Sequence, residues 1–210
     1  MDDLAQAKAY AAADFAEANQ LFITLLTDLC GNHSPGRLLD LGCGPGDIAL
    51  QLGQQFPGCE IDALDGAQAM LDLAIAKQAT HTGVAKPVNF ICSYLPSAKL
   101  TSDYDVVASN SLLHHMADPA DLWTTIRQCG IAGAKVLVMD LARPENLQKT
   151  DQLIAEYAAD APEVLRTDFY NSLLAAYTPA EVEAQLQQAG LGNLTVSMVS
   201  NRHLAVSGRL

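Results

Sequence analysis

The sequence predicts an α/β fold built on a mostly parallel β-sheet. Short apolar runs rich in β-branched residues alternate with helical patterns, and successive runs begin about 20 to 30 residues apart. The chain has 210 residues, which is enough for one full hydrophobic core. Strand–helix–strand units of this kind form right-handed crossovers, so their strands are expected to lie parallel in one sheet.

Seven strands are predicted. The first five are Arg37–Leu41, Glu60–Leu64, Val88–Cys92, Val106–Ser109 and Lys135–Leu141. Near the C-terminal end, Asn193–Val199 and His203–Ser207 are joined through Ser200-Asn201-Arg202. A connection this short indicates an antiparallel hairpin. One strand near the end of the chain is therefore predicted to run against the others.

Two helix starts are marked by capping residues. Asp118 stands directly before a proline, the order typical of an N-cap followed by a first-turn proline. Thr178 is also followed by a proline, and Glu181 completes the spacing of a capping box. The second of these helices is predicted to end at Gly190, because glycine commonly follows the last turn of a helix.

Two further helical segments are predicted outside this alternating pattern. Residues 1–30 are rich in alanine and place Phe15, Phe22 and Leu26 on one apolar face. Residues 147–177, between the fifth and sixth strands, hold four aromatic side chains. We expect this insertion to form a pair of helices that covers the functional site as a lid.

Charge and composition argue against several partners and compartments. The chain has 12 Lys and Arg against 24 Asp and Glu, a formal net charge of −12. This balance opposes binding to nucleic acid, which relies on clustered cations.

The apolar runs fall far short of the ~20 residues that span a bilayer, and the acidic start is unlike a signal peptide. We expect a cytoplasmic protein without membrane insertion. The five scattered cysteines indicate neither a disulfide framework nor a metal site.

The stretch LLDLGCGPGD, residues 38–47, places three glycines directly after the first predicted strand. In an open parallel sheet, ligands bind beyond the carboxyl ends of the strands, and the first strand-to-helix turn approaches them most closely. Glycine has no Cβ to hold a ligand away and tolerates positive φ. A turn that contains Gly42, Gly44 and Gly46 is therefore suited to direct contact with a bulky cofactor.

The residues around the glycines favour a cationic nucleoside over a phosphate ligand. A P-loop would require Gly-Lys-Ser/Thr, which is absent here. A dinucleotide fingerprint would require glycine where Asp47 stands, and this acid also argues against a nicotinamide-dependent dehydrogenase. Asp40 precedes the glycines, and Asp65, 21 residues after Gly44, is placed to accept hydrogen bonds from ribose hydroxyls. A ribose without phosphate, beside a positive charge, describes S-adenosylmethionine.

Four stretches of the chain, in order, resemble the class I S-adenosylmethionine-dependent methyltransferases, in the branch that includes small-molecule and quinone-ring methyltransferases. They are LLDLGCGPGD, IDALDGAQAMLDLA, YDVVASNSLLHHMADP and AKVLVMDLARPEN. The resemblance covers about residues 30–210. It implies a Rossmann-like sheet of seven strands with an antiparallel C-terminal strand, helices on both faces and a single methyltransferase domain over residues 1–210. It also implies methyl transfer from S-adenosylmethionine to O, N, C or S of a small-molecule acceptor by in-line displacement.

The resemblance further implies which residues hold the cofactor. Residues of the first strand and its turn would line the methionine and ribose end, the acid after the second strand would hold the ribose hydroxyls, and residues after the third strand would lie at the adenine edge. The set is Asp40, Gly42, Gly44, Asp65, Gly66, Ser93, Tyr94 and Asn110. Two positions depart from the family pattern: Ala67 stands where serine is usual, and FICSYLP offers no aspartate for the adenine amino group.

Candidate catalytic and acceptor residues follow the fourth and fifth strands. A general base is required only when the acceptor carries a proton. His114, which matches the family's more regular histidine, is the candidate base, although it and His115 would equally cover a helix start. Acceptor contacts are expected from Tyr10, Arg143 and Tyr170. Alternatively, lid aromatics only anchor helices, and Arg143 forms a solvated salt bridge.

Two alternatives stay open at this point. A noncatalytic S-adenosylmethionine-binding or regulatory protein would keep the cofactor cradle without the chemistry. The apolar lid would also serve as the face of a homodimer. The residues identify neither the acceptor nor the atom that is methylated.

Overall fold

The seven described strands form one sheet in the order β3-β2-β1-β4-β5-β7-β6. The computed structural model describes residues 15–81, 83, 85–97 and 99–210. The strands are β1 Arg37–Leu41, β2 Glu60–Asp65, β3 Asn89–Cys92, β4 Tyr104–Asn110, β5 Gly130–Leu141, β6 Thr195–Met198 and β7 His203–Arg209.

Strands β1 to β5 all run parallel to one another, and β7 is antiparallel to both β5 and β6. The predicted α/β class, the Rossmann-like order and the single reversed strand are therefore confirmed. Strand β5 begins at Gly130 instead of the predicted Lys135. The reason is that Gly130 pairs with Tyr104 across an irregularity in the β4–β5 register, which the apolar run in the sequence did not indicate.

Seven α-helices and one short 3₁₀ helix complete the described part of the chain. None of these helices is long and apolar enough to cross a membrane. They are α1 Ala16–Cys30, α2 Asp47–Gln55, α3 Gln68–Thr80, the 3₁₀ helix Leu113–His115, α4 Pro119–Cys129, α5 Leu147–Tyr157, α6 Glu163–Ala175 and α7 Pro179–Gln188.

Both faces of the sheet are covered by helices. On one face, Phe22 and Leu26 of α1 are fully buried in a core that also includes residues of α2 and α3. Phe15, predicted to share their apolar face, precedes α1 and is 38% exposed. On the other face, Trp123 of α4 is buried, and its Nε1 donates a hydrogen bond to Gln185 of α7 at 2.9 Å. The sheet is thus buried on two sides, as parallel sheets require.

Helices α5 and α6 occupy the insertion predicted to act as a lid. They pack on each other and on Leu141, at the end of β5, through a small separate apolar core. The C-terminal end of α5 is fixed to the β6–β7 turn: the Tyr157 hydroxyl donates to Asn201 Oδ1 at 2.9 Å, and the Arg202 guanidinium lies 3.3 Å from the centre of the Tyr157 ring. Contacts with the end of β5 and with the β6–β7 turn therefore hold the pair in place, while its role as a lid stays a prediction.

The start of α7 has the capping box that the sequence predicted. The Thr178 hydroxyl accepts from the Glu181 backbone N–H at 3.3 Å, and the Glu181 carboxylate accepts from the Thr178 N–H at 2.8 Å. Helix α4 begins in a similar way, because the Asp118 carboxylate accepts from the Ala120 N–H at 2.9 Å. Both predicted N-caps are confirmed.

Substitution of the α7 cap should lower stability without changing the fold. We expect Thr178→Ala to reduce the free energy of unfolding by about 1 kcal/mol, because one backbone N–H loses its partner. Urea denaturation measures this loss. Thr178→Ser keeps the hydroxyl and is the matched control, expected within about 0.5 kcal/mol of the wild type. Equal stability of Thr178→Ala and the wild type would show that the cap contributes nothing.

Candidate active site

The glycine turn after β1 is tied to the end of β2. The backbone N–H groups of Gly42 and Cys43 both donate to the Leu64 carbonyl, at 2.8 and 3.0 Å. The N–H of Gly44 donates to Asp65 Oδ2 at 2.8 Å. These three hydrogen bonds fix the turn at the carboxyl edge of the sheet, the edge where parallel α/β folds bind ligands.

The three glycines of the turn are required for different reasons. A Cβ on Gly42 would lie 3.0 Å from the Leu112 side chain, and a Cβ on Gly46 would lie 2.8 Å from the Cβ of Ala74. These two positions are restricted by packing. Gly44 has a φ of +52°, and a Cβ there would meet nothing within 4 Å. Gly44 is therefore the position where bare backbone faces open space, as expected of a ligand contact.

The Asp65 carboxylate is oriented by two backbone donors. Oδ1 accepts from the Ala67 N–H at 2.8 Å and Oδ2 accepts from the Gly44 N–H at 2.8 Å. An ionised carboxylate has about four acceptor positions, so it keeps capacity for further donors such as two hydroxyls. Asp65 is half-buried at the end of β2.

Two buried oxygens at this edge have no hydrogen-bond partner among the described residues. They are Oδ2 of Asp40, near the end of β1, and Oδ1 of Asn110, the last residue of the adjacent β4. The β1–β4 register pairs Leu41 with Ser109, so both oxygens lie at the carboxyl edge. A buried acceptor without a donor costs stability, and a ligand that carries donors or positive charge would satisfy both.

Burial and the neighbouring Asp65 carboxylate raise the pKa of Asp40 to about 7. The Asp40 side chain is only 2% exposed, so its charged form is poorly solvated. A cation at this position would favour the ionised form.

The end of β3 supplies an aromatic surface next to Asp65. A Cβ on Gly66 would lie 2.6 Å from the Tyr94 ring, so the ring covers this glycine directly. Tyr94 is nevertheless 70% exposed. The Ser93 N–H donates to the Asp65 carbonyl at 3.0 Å, and the Ser93 hydroxyl accepts from Ser97 at 2.9 Å. A flat ring of this kind suits stacking with another ring.

A buried histidine–aspartate pair lies at the ends of β4 and β5. Nδ1 of His114, in the 3₁₀ helix, is 2.5 Å from Oδ1 of Asp140. Their side chains are 4% and 2% exposed. Between β4 and this helix, Ser111 has a φ of +57°. A non-glycine residue in this region is strained, a feature common at functional sites. Asp140 was not singled out from the sequence.

The three residues predicted to contact the acceptor do not lie together in the described part of the structure. Arg143 forms a salt bridge with Glu181 of α7, and its side chain is 37% exposed. Tyr170 is half-buried against the core of α5 and α6. Tyr10 lies outside the described residues. The structure thus gathers Asp40, Gly44, Asp65 and Asn110 at one edge, whereas the acceptor contacts stay predictions.

Comparison with known proteins supports the resemblance to a methyltransferase family. A model of the methyltransferase domain matches residues 39–136, from β1 into β5. This match, over just under half of the chain, supports the class I S-adenosylmethionine-dependent methyltransferases as the family to which the chain is similar. The matched range contains the glycine turn, Asp65, Asn110 and His114. The resemblance based on four sequence stretches is therefore confirmed. The cofactor of this family is S-adenosylmethionine, and its reaction is methyl transfer.

Two curated relatives align with part of this chain. Trans-aconitate 2-methyltransferase of Mycolicibacterium gilvum is 35% identical over 90 residues, which is 43% of this chain and 32% of the relative. Malonyl-[acyl-carrier protein] O-methyltransferase of Bacillus anthracis is 34% identical over 109 residues, which is 52% of this chain and 38% of the relative. The chain thus aligns with about a third of the length of each.

Solved methyltransferase structures have the same fold. A SAM-dependent methyltransferase from Aquifex aeolicus superposes with a TM-score of 0.71 and 17% identity, over 99% of this chain and 98% of that one. The plantazolicin methyltransferase BpumL, in a complex with SAH, superposes with a TM-score of 0.70 and 15% identity, over 98% and 89% of the two chains. At these identities the likeness shows the fold alone.

The raised pKa of Asp40 predicts a pH-dependent stability. Its folded value of about 7 lies above the ordinary 3.8, so the folded protein keeps a proton that the unfolded chain releases. This contribution to stability is complete below about pH 4 and is lost as the pH rises through 7. Asp40→Asn lacks this titration. We expect its stability relative to the wild type to rise by at most about 3 kcal/mol between pH 5 and pH 8.

Urea denaturation at the two pH values measures this difference. Asp72→Asn, an exposed aspartate on α3, is the matched control and should show no such trend. A constant difference between Asp40→Asn and the wild type at pH 5 and pH 8 would contradict the raised pKa.

Proposed function

We propose that this chain transfers the methyl group of S-adenosylmethionine to a small organic acceptor. The observation that carries the proposal is a pair of buried oxygens, on Asp40 and Asn110, that have no hydrogen-bond partner among the described residues and lie at the same edge as the open backbone of Gly44. A ligand that combines positive charge with hydrogen-bond donors would satisfy both oxygens. S-adenosylmethionine, the cofactor of the family, has both properties, so the residues present fit it.

The described residues divide into three groups around such a ligand. Asp65 would accept hydrogen bonds from the ribose hydroxyls, since two backbone donors already fix its orientation. A second group, at the ends of the first and fourth strands, would hold the methionine and ribose end: Asp40, Gly42, Gly44 and Asn110. A third group would lie at the adenine edge: Gly66, Ser93 and Tyr94.

The chemistry places modest demands on the protein. When bound, S-adenosylmethionine supplies a methyl group on a sulfonium, which is already an activated leaving group. The remaining task of the chain is to hold the acceptor in line with that methyl group and to exclude water. Correct positioning alone can provide effective molarities of ~10⁵ M or more.

The acceptor side is proposed to lie under α5 and α6. Helix α6 packs against the 3₁₀ helix that contains His114, so this lid would cover the same edge of the sheet as the cofactor cradle. Tyr170 and, outside the described residues, Tyr10 would contribute apolar surface. Arg143 would reach an acceptor carboxylate or phenolate only by leaving its salt bridge with Glu181.

A cytoplasmic location is part of the proposal. Each of the five cysteines is a free thiol, which suits a reducing compartment.

The two curated relatives act, by name, on trans-aconitate and on malonyl-[acyl-carrier protein]. We do not extend either acceptor to this chain, because each alignment covers about a third of the relative.

Removal of the Asp65 carboxylate tests the cofactor assignment. We expect Asp65→Ala to weaken binding of S-adenosylmethionine about 10- to 100-fold, because hydrogen bonds to a charged group contribute roughly 1.5–3 kcal/mol. Isothermal titration calorimetry measures this affinity. Asp72→Ala removes an exposed carboxylate from α3 and should bind like the wild type. Unchanged affinity in Asp65→Ala would overturn the proposed site.

Turnover separates the enzyme from the noncatalytic alternative. Wild-type protein with labelled S-adenosylmethionine and a metabolite extract should form a labelled small molecule and S-adenosylhomocysteine. Tight cofactor binding without any labelled product would instead support a binding or regulatory protein.

A further inference from the structure

A surface cavity of about 300 Å³ lies at the amino edge of the sheet, where the parallel strands begin. Its walls are the segment 33–36 before β1, the first residues of β4, residues 131–135 of β5 and the last residue of β7. Cavities of this size are at the lower end of those that bind small molecules. This amino-edge cavity is at the opposite end of the strands from the glycine turn.

Two cationic side chains lie next to each other in this cavity. The β5–β7 register pairs Lys135 directly with Arg209, and both residues line the cavity. Residues directly opposite in an antiparallel pair have their side chains on the same face, with Cβ atoms about 4.5–5.5 Å apart. Like charges at such positions repel and destabilise the pairing. The sheet thus holds two positive charges side by side.

Neither cation forms a salt bridge in the part of the chain that the structure describes. Lys135 Nζ donates to the Cys30 carbonyl at 2.9 Å, and the Arg209 guanidinium donates to the Gly133 carbonyl at 3.5 Å. An ammonium has three N–H donors and a guanidinium has five, so most of these donors stay available. Two adjacent bases without a counterion are unexpected in a chain with 24 acidic and 12 basic residues.

One carboxylate also lines the cavity, and backbone donors hold it. Oδ2 of Asp105 accepts from the N–H groups of Gly36 and Arg37, at 2.9 and 2.8 Å. This carboxylate therefore fixes the segment before β1 instead of neutralising either cation. His33 and Ser34, both exposed, complete the polar lining. With two permanent cations against one carboxylate, the balance of charge at the cavity favours an anion.

We propose that the amino-edge cavity binds a small oxyanion, a phosphate group or a carboxylate, between Lys135 and Arg209. The planar guanidinium matches the geometry of either group in a bidentate contact, and the ammonium adds a point charge. A bound anion would replace the repulsion between the two cations with two attractions.

This site is separate from methyl transfer and does not depend on it. Strand β1 has five residues, so its two ends are roughly 17 Å apart at 3.3 Å per residue. The proposed cofactor residues Gly44 and Asp65 follow the carboxyl ends of β1 and β2, whereas the cavity is at the amino ends. A ligand there would leave the cofactor edge free.

Titration with simple anions tests the site directly. Sodium phosphate represents the phosphoryl source and sodium succinate the carboxylate source, each compared with sodium chloride at equal ionic strength. In ¹H–¹⁵N spectra, we expect saturable shifts of backbone amides in segments 33–36 and 131–135 with at least one oxyanion. A response to phosphate or to succinate supports the site and identifies the source. Because a ligand of the native state stabilises it by mass action, the same oxyanion should raise the Tm.

Removal of either cation tests the assigned residues. We expect Arg209→Gln and Lys135→Gln to weaken oxyanion binding at least about fivefold, because each loses a charge-assisted hydrogen bond. Arg209→Gln without added oxyanion should have a Tm equal to or above that of the wild type, because the repulsion is removed. Arg127→Gln removes an exposed guanidinium from α4 and is the matched control, expected to keep the wild-type affinity.

Three results would overturn the proposal. They are the absence of saturable shifts with both oxyanions, shifts confined to the cofactor edge around Gly44 and Asp65, and equal affinities of the wild type, Arg209→Gln and Lys135→Gln. A rise in Tm of the same size in all variants would show only the general effect of the salt on folded proteins and would also count against the site. If Lys135→Gln does not fold, Arg209→Gln alone decides, since Arg209 is exposed at the end of β7.

Discussion

The hydrogen bonds between Asp65 and the backbone of Gly44 and Ala67 are the interaction on which the site depends. They join the turn after β1 to the segment after β2 and aim one carboxylate beyond the edge of the sheet. The parallel register then brings Asp40 and Asn110 to the same edge. Without this tie the open backbone at Gly44 would lose its direct link to the acid proposed to hold the ribose.

Two buried aspartates in neighbouring parts of the sheet have opposite surroundings. Asp140 is satisfied by the His114 ring and by backbone donors, so it orients a neighbour. Asp40 has one oxygen without a hydrogen-bond partner among the described residues, and its pKa is raised, so this oxygen is available to a ligand. Since buried polar groups in folded proteins nearly always have partners, this contrast supports the cofactor role proposed for Asp40 and sets it apart from Asp140, whose partners lie within the protein.

The sequence predicted the sheet well, and it placed Asp40 and Asp65 at strand ends, where the structure has them, because these features are local. Apolar runs indicate strands, and Asp65 stands directly after one. The packing constraint on Gly46 was hidden, since Ala74, its neighbour in space, lies a helix away in the chain. Asp140 was missed for the same reason: inside an apolar strand it acquires a role only through His114, 26 residues earlier. Local pattern cannot indicate such contacts.

A crystal structure with bound S-adenosylhomocysteine tests the central claim most directly. The account predicts both ribose hydroxyls within hydrogen-bond distance of the Asp65 carboxylate, and the ligand's ammonium group next to the unpartnered oxygen of Asp40 or Asn110. Electron density for the ligand elsewhere, with those two oxygens still lacking a donor, would contradict it.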